Sequence, residues 1–344
     1  MRIAIVNDND ANLIILKHII EKLTDDDIAW TATCGAEAIK KCESDTPDLI
    51  LMDMLMPDTN GVQASLTIMK KTPCAILIVT ASVTGNAAMI FEAMSYGALD
   101  VIQTPFSHAS ESKVEISNFL NKLKTIKKLV KNNPKTNTTN SKNISSGGES
   151  NKPIVVLGAS TGGPGVLATI LEAIPADFPA PIIIVQHVDS SFTNNFASWL
   201  NTQSKLNVRI AKQGERPQIG SVLVAGKSEH LIMTKGEKLS YSELYKELIY
   251  KPSVDVLFNS IAKYWQGDIV AALLTGMGKD GAQGLACIHK LGGHTITQTK
   301  ETCAVYGMPK AADDIGVATE SLDPEEIANS IVNIICNNSV SPSI

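Results

Sequence analysis

The six cysteines include no C-x-x-C pair, and the six histidines form no cluster. The signatures of a disulfide framework and of a structural zinc site are therefore both missing. Cys34, Cys42, Cys74, Cys287, Cys303 and Cys336 read as reduced thiols of a cytoplasmic protein. No apolar run approaches the roughly 18 residues needed to cross a bilayer. The N-terminus MRIAIVNDND reaches acidic residues too soon for the apolar core of a secretory signal. Basic charge is not in excess either: 30 Lys+Arg stand against 35 Asp+Glu, a formal net charge of −5. Bulk charge thus argues against nucleic acid as a partner. The expectation is a cytoplasmic chain that neither binds nucleic acid nor inserts into a membrane.

What is present is enough for two buried cores. The 344 residues are 44% hydrophobic and 19% charged, against a soft prior of about 150 residues per domain. Between Asn132 and Pro153 the sequence NNPKTNTTNSKNISSGGESNKP holds almost no large apolar residue, which reads as a flexible tether. On either side, short β-rich runs alternate with helical patterns. RIAIVN, DLILMDM, AILIVTAS and LDVIQT precede the tether, and PIVVLGAS, PIIIVQHV, VLVAG, DIVAALLTG and HTITQ follow it. That rhythm predicts two doubly wound α/β domains with parallel sheets. The expected boundaries are 1–125 for the first domain, 126–152 for the linker and 153–337 for the second. Ile116, Phe119, Leu120, Leu123, Ile126 and Val130 fall at helical spacing, predicting a helix that closes domain one. Its Lys122, Lys124, Lys127, Lys128 and Lys131 read as a solvated face or as a patch for an acidic partner.

In a parallel sheet with helical crossovers, functional groups gather at the carboxyl ends of the strands. In the first domain that edge receives Asp8, Asp53 and Thr80. Two carboxylates held together raise each other's pKa unless a cation lies between them, and oxygen ligands of this kind suit Mg²⁺. The alternative is that Asp8 and Asp53 cap the turns that follow them.

In the second domain IVVLGASTGGPGVLATIL reads strand, glycine turn, helix. It presents Ser160 at the strand end beside free N–H groups of a helix start. A P-loop is excluded, because Pro164 follows Gly163 and no Lys is available. A nucleophilic serine and a plain glycine-rich connection both remain open. A nucleophile needs a base and an orienting acid. His187 directly follows the strand IIIVQ, and IVAALLT delivers Asp280 to the same edge, whereas His230, His289 and His294 lack a comparable strand-end position. The same stretch contains a literal G-x-G-x-x-G, Gly276 to Gly281, with Glu301 about twenty residues later. A dinucleotide site is the rival there, and the charge of Asp280 at the pyrophosphate position counts against it.

Two resemblances follow. Residues 1 to about 125, through VND, LMDMLMPDTNG, VTAS and ALDVIQTPF, resemble a response-regulator receiver domain of flavodoxin-like fold. The ordered motifs GASTGGP, QHVDSSFTNNFA, AGKSEH, YKPSVDVLFNS, LLTGMGKDGAQG and TCAVYGMPKAA resemble the Rossmann-like catalytic domain of the chemotaxis protein-glutamate methylesterase family, CheB. The second resemblance implies a Ser160–His187–Asp280 triad, an oxyanion donor at the Met277 N–H and a further active-site position at Thr161. The activity it implies is hydrolysis of glutamate γ-methyl esters on methyl-accepting chemotaxis proteins, with deamidation of receptor glutamines and no cofactor. The first implies that a chemotaxis histidine kinase phosphorylates Asp53, that Asp8 and Asp53 hold Mg²⁺, and that Thr80 bonds the phosphoryl group. It further implies a receiver that covers the active-site edge until it is phosphorylated. Three positions depart from the receiver pattern: Asn7 stands where an acidic residue is usual, Thr104 where Lys is usual, and Val101 where an aromatic is common. These departures put the coupling of phosphorylation to conformation in question. A noncatalytic adaptor of the receptor array is the alternative function.

Overall fold

The structure is a computed structural model that describes residues 1–57, 59–81, 87–105, 112–131, 152–244, 248 and 250–337. The tether between 132 and 151 lies outside the described residues. The chain divides into two compact units, 1–138 and 139–344.

Unit one alternates strand and helix. The order is β1 (Arg2–Val6), α1 (Asp10–Leu23), β2 (Asp27–Ala32), α2 (Gly35–Ser44), β3 (Leu49–Met52), α3 (Gly61–Lys71), β4 (Ala75–Thr80), α4 (Ala87–Ser95), β5 (Asp100–Gln103) and α5 (Ser112–Lys131). The five strands pair in parallel in the order β2-β1-β3-β4-β5. Helices cover both faces of such a sheet, so its central strands are apolar throughout, as in LILM of β3, where every residue is buried. Asn9 and Asn60 cap α1 and α3 by accepting from backbone N–H groups in the first turn. The expected boundary at residue 125 falls inside α5. The helix continues to Lys131 because Ile126, 2% exposed, belongs to the same core as Phe119 and Leu123. Lys122 pairs with Asp100 at 2.8 Å and Lys127 with Asp26 at 2.5 Å, so these two lysines bind within unit one.

Unit two contains β6 (Ile154–Ala159), α6 (Gly163–Ala173), β7 (Ile182–Gln186), α7 (Ser190–Gln203), β8 (Asn207–Ile210), β9 (Ser221–Val224), β10 (His230–Thr234), β11 (Lys238–Ser242), α8 (Val254–Tyr264), β12 (Ile269–Leu273), α9 (Ala282–Lys290), β13 (His294–Gln298), α10 (Met308–Asp313), β14 (Glu320–Leu322) and α11 (Pro324–Asn337). A seven-stranded parallel sheet runs β14-β13-β12-β6-β7-β9-β8, and β10 and β11 form a separate antiparallel hairpin. The runs IVVLGA and IIIVQ are buried at every residue. A fully buried Ile or Val contributes about 1.5–3 kcal/mol, which makes β6 and β7 the anchor of the site built on their ends. Among the described residues no helix is long and apolar enough to cross a membrane.

Candidate active site

Three strand ends meet in unit two. β6 pairs with β7 so that Ala159 lies opposite Gln186, and the His187 N–H donates to the Ala159 carbonyl at 3.0 Å. Ser160 and His187 are therefore the first residues beyond two neighbouring strands. On the other side of β6, Leu273 of β12 lies opposite Gly158, and the Ser160 N–H donates to the Thr275 carbonyl at 3.0 Å. Gly276 then passes so close that a Cβ there would lie 2.6 Å from the Ser160 Cβ. Gly162, in the left-handed region at φ 79°, turns the chain into α6, a geometry that favours glycine.

Asp280 is 9% exposed and accepts four hydrogen bonds. His187 Nε2 lies 2.8 Å from its Oδ2. The Ser253 hydroxyl donates to Oδ1 at 2.7 Å, the Val254 N–H to Oδ2 at 2.8 Å and the Asp255 N–H to Oδ1 at 3.0 Å. Three of these donors are the cap and first residues of α8, so the carboxylate sits on a helix N-terminus, where negative charge is favoured. Burial pushes its pKa up. The bonds from His187, Ser253 and Asp255 outweigh burial and hold it below the ordinary carboxylate value.

Asp280 engages Nε2 of His187, while the other ring nitrogen, Nδ1, is buried with no hydrogen-bond partner among the described residues. The Ser160 hydroxyl and His187 are not hydrogen-bonded to each other. Tyr250 lies flat on the imidazole, ring centroids 4.3 Å apart and planes 3° apart. The backbone around Ser160 is fixed from two directions. The Gln186 amide donates to the Ser160 carbonyl at 2.7 Å and to the His187 carbonyl at 3.2 Å. The fully buried Thr275 hydroxyl donates to the Thr161 carbonyl at 2.9 Å and accepts from the Val305 N–H at 2.9 Å. The Met277 N–H meets no acceptor among the described residues. Glu301 lies exposed in the loop after β13, while Asp280 is buried against α8, so the G-x-G-x-x-G stretch is organised around a carboxylate and not around a pyrophosphate.

Unit one converges in the same way. The Asp53 N–H donates to the Val6 carbonyl at 2.9 Å, and the Asn7 amide donates to Asp53 Oδ2 at 2.9 Å. Thr80, buried, ends β4 beside β3, and the Thr104 N–H donates to its carbonyl at 2.8 Å. Asp8 is exposed. Burial, with the charge of Asp8 adding to it, raises the Asp53 pKa to about 6 against the hydrogen bonds from Leu55, Met54 and Asn7. The Thr104 hydroxyl is buried without a partner among the described residues.

Residues 155–331 match the CheB methylesterase family, and residues 3–113 match the response regulator receiver domain. The chain belongs to the CheB methylesterase family. The protein-glutamate methylesterase/protein-glutamine glutaminase 1 of Bordetella avium is 43% identical over 328 residues, 95% of each chain. The protein-glutamate methylesterase/protein-glutamine glutaminase 3 of Pseudomonas aeruginosa is 42% identical over 334 residues, 97% of this chain and 99% of its own. The CheB methylesterase catalytic domain of Thermotoga maritima, a crystal structure, is 35% identical and covers 54% of this chain and 100% of its own, with a TM-score of 0.51. These CheB relatives are named as enzymes, which leaves the noncatalytic adaptor without support.

Four residues of this CheB-family site escaped the sequence reading: Gln186, Tyr250, Ser253 and Thr275. Ser253 had a signal, since a serine before the apolar-periodic run VDVLF is a helix-start signature. Its second role, holding Asp280, had none. His230 begins β10, buried, and its Nδ1 accepts from the Ser253 N–H at 3.2 Å. It supports the site at one remove.

Proposed function

We propose that the chain hydrolyses γ-glutamyl methyl esters on methyl-accepting chemoreceptors, and deamidates receptor glutamines, with Ser160 as nucleophile, His187 as base and Asp280 as its orienting acid. The observation that carries this reading is the buried His187 ring, bound at Nε2 by an ionised Asp280 and unpaired at Nδ1, one residue past the strand that neighbours Ser160.

The Asp280 carboxylate accepts the Nε2–H and so selects the tautomer whose Nδ1 carries a lone pair. Nδ1 takes the Ser160 proton as the hydroxyl oxygen attacks the side-chain carbonyl carbon. Catalytic hydrogen bonds of this type are often open before substrate binds. The oxyanion of the tetrahedral intermediate sits against the free Met277 N–H, with Thr161 beside it. A donor of this kind contributes about 2.7–4 kcal/mol in related chemistry. Collapse of the intermediate breaks the carbon–oxygen bond of the ester, or the carbon–nitrogen bond of the amide. Nδ1 returns its proton to the departing methanol or ammonia. Water, deprotonated at the same nitrogen, then cleaves the acyl-serine and releases glutamate. Every group in these steps is the chain's own.

The receiver supplies regulation, with Asp53 as phosphoacceptor and a chemotaxis histidine kinase as donor. Asp8 and Asp53 fit a divalent cation: both are carboxylates, and the repulsion that helps raise Asp53 is what a cation between them relieves. Mg²⁺ held there would neutralise charge on the phosphoryl group being transferred. Asn7 contributes an amide where a third carboxylate would add charge, and Thr80 ends the neighbouring strand within the same edge.

Methanol release from methylated chemoreceptor membranes tests the proposal. Wild type is expected to be active, and Ser160→Ala to lose about a thousandfold or more with unchanged melting. A Ser160→Ala chain that keeps its activity removes the serine mechanism.

A further inference from the structure

A ring held by one hydrogen bond is not fully held. The last torsion of a histidine is an sp³–sp² rotation with broad wells, and the usual second restraint, a bond at the other nitrogen, is missing here because Nδ1 has no partner. The Ser160 hydroxyl does not supply it in the free protein. What meets the imidazole instead is Tyr250, stacked at 4.3 Å and nearly parallel.

We propose that Tyr250 is a positioning residue for the reaction, its ring fixing the imidazole plane in which Nε2 faces Asp280 and Nδ1 stays directed to the Ser160 proton. This inference rests on the Ser160–His187–Asp280 reading above.

The segment that carries Tyr250 makes the assignment specific. Three residues later the same chain supplies Ser253, Val254 and Asp255, the donors that hold Asp280. One short stretch, 250–255, therefore sets both the carboxylate and the plane of the ring that the carboxylate engages. Gly278 makes room for it: a Cβ there would stand 3.2 Å from the Tyr250 hydroxyl, and its φ of +80° is one that side chains rarely adopt. The phenol forms no hydrogen bond among the described residues, so the aromatic face and not the hydroxyl is what His187 uses. That face also shields one side of the ring from water and favours the imidazolium that forms during the reaction.

The test uses the full-length chain and methylated chemoreceptor membranes. Tyr250→Leu is expected to lower kcat by about 10- to 100-fold while KM stays within about threefold, the loss expected when a base is misplaced by about 1 Å. Tyr250→Phe is expected to restore both constants to within about threefold of wild type. Nitrogen-15 spectra of His187 in the substrate-free protein are expected to show one tautomer, protonated at Nε2, in wild type and Tyr250→Phe, and a mixture in Tyr250→Leu. Should Tyr250→Leu melt below assay temperature, Tyr250→Met, longer and more adaptable than Leu but without a flat ring, takes its place. Wild-type kcat in the Leu variant, a loss confined to KM, or a Phe variant as impaired as Leu each overturns the assignment. An active Ser160→Ala control would instead overturn the serine mechanism, and the His187 spectra still report on the stack in that case.

Discussion

Burial raises the pKa of a carboxylate, and the two acidic residues at the heart of this chain respond to it in opposite ways. Asp53 is lifted to about 6, because its hydrogen bonds from Asn7, Leu55 and Met54 do not compensate for lost water and the nearby charge of Asp8. Asp280 is held below the ordinary value, because four donors converge on it. The consequence for stability follows from linkage. A folded-state pKa below the unfolded one means that Asp280 stabilises unit two above the unfolded value near about 4, and that this contribution disappears as the pH falls through the lower folded value. Asp280→Asn is therefore expected to melt about 4 °C or more below wild type at pH 7, with the gap narrowing as the pH falls below about 4. Melting curves across that range check it, and a gap that stays constant with pH would refute the ionised assignment. That Ser160 and His187 stand just beyond strand ends, and that the segment after β12 carries Asp280 toward the same edge, was legible in sequence. The choice of ring nitrogen was not, because it depends on where the first turn of α8 holds the Asp280 carboxylate against the ring.

At the scale of elements, the contact between α8 and the end of β6 decides whether the site exists. A Cβ on Gly158 would lie 2.3 Å from Val254 Cγ1, so Gly158→Ala pushes the first turn of α8 off the sheet. The expected cost is about 1–3 kcal/mol, read from the urea midpoint at unchanged slope, together with a loss of esterase activity as Asp280 loses its donors. Ser253→Ala acts on the same turn by another route. It removes the cap bond to the Val256 N–H and the bond to Asp280. A destabilisation of about 1–2 kcal/mol is expected, with activity reduced and not abolished, because Val254 and Asp255 still hold the carboxylate. Equal stability of Ser253→Ala and wild type would contradict the cap. The strands β6, β7 and β12 were readable as apolar runs. The strands β8 (NVRI) and β14 (ESL) were not, since each mixes polar with apolar residues and carries no buried run, so that they are recognised only by pairing with β9 and β13.

At the scale of the whole molecule, each unit has a core of its own, Ile3, Leu16, Leu49 and Phe119 in one and Val156, Ile183, Phe258 and Leu285 in the other. Calorimetry of the full chain is expected to resolve two unfolding steps, with residues 152–344 alone reproducing one of them. A single transition whose calorimetric and van't Hoff enthalpies agree would count against two independent cores. The sequence by itself determined that there are two α/β domains, and which polar residues stand at their strand ends. Hydrophobic period, glycine turns and strand-end polar residues are local signals, readable within a few residues of one another. Only the tertiary structure decided that α8 presents its first N–H groups to Asp280, that Gln186 ties Ser160 to His187, and that Tyr250 covers the imidazole. Those contacts join segments 25 to 63 residues apart, and the packing of one element on another, not any local pattern, brings them within bonding distance.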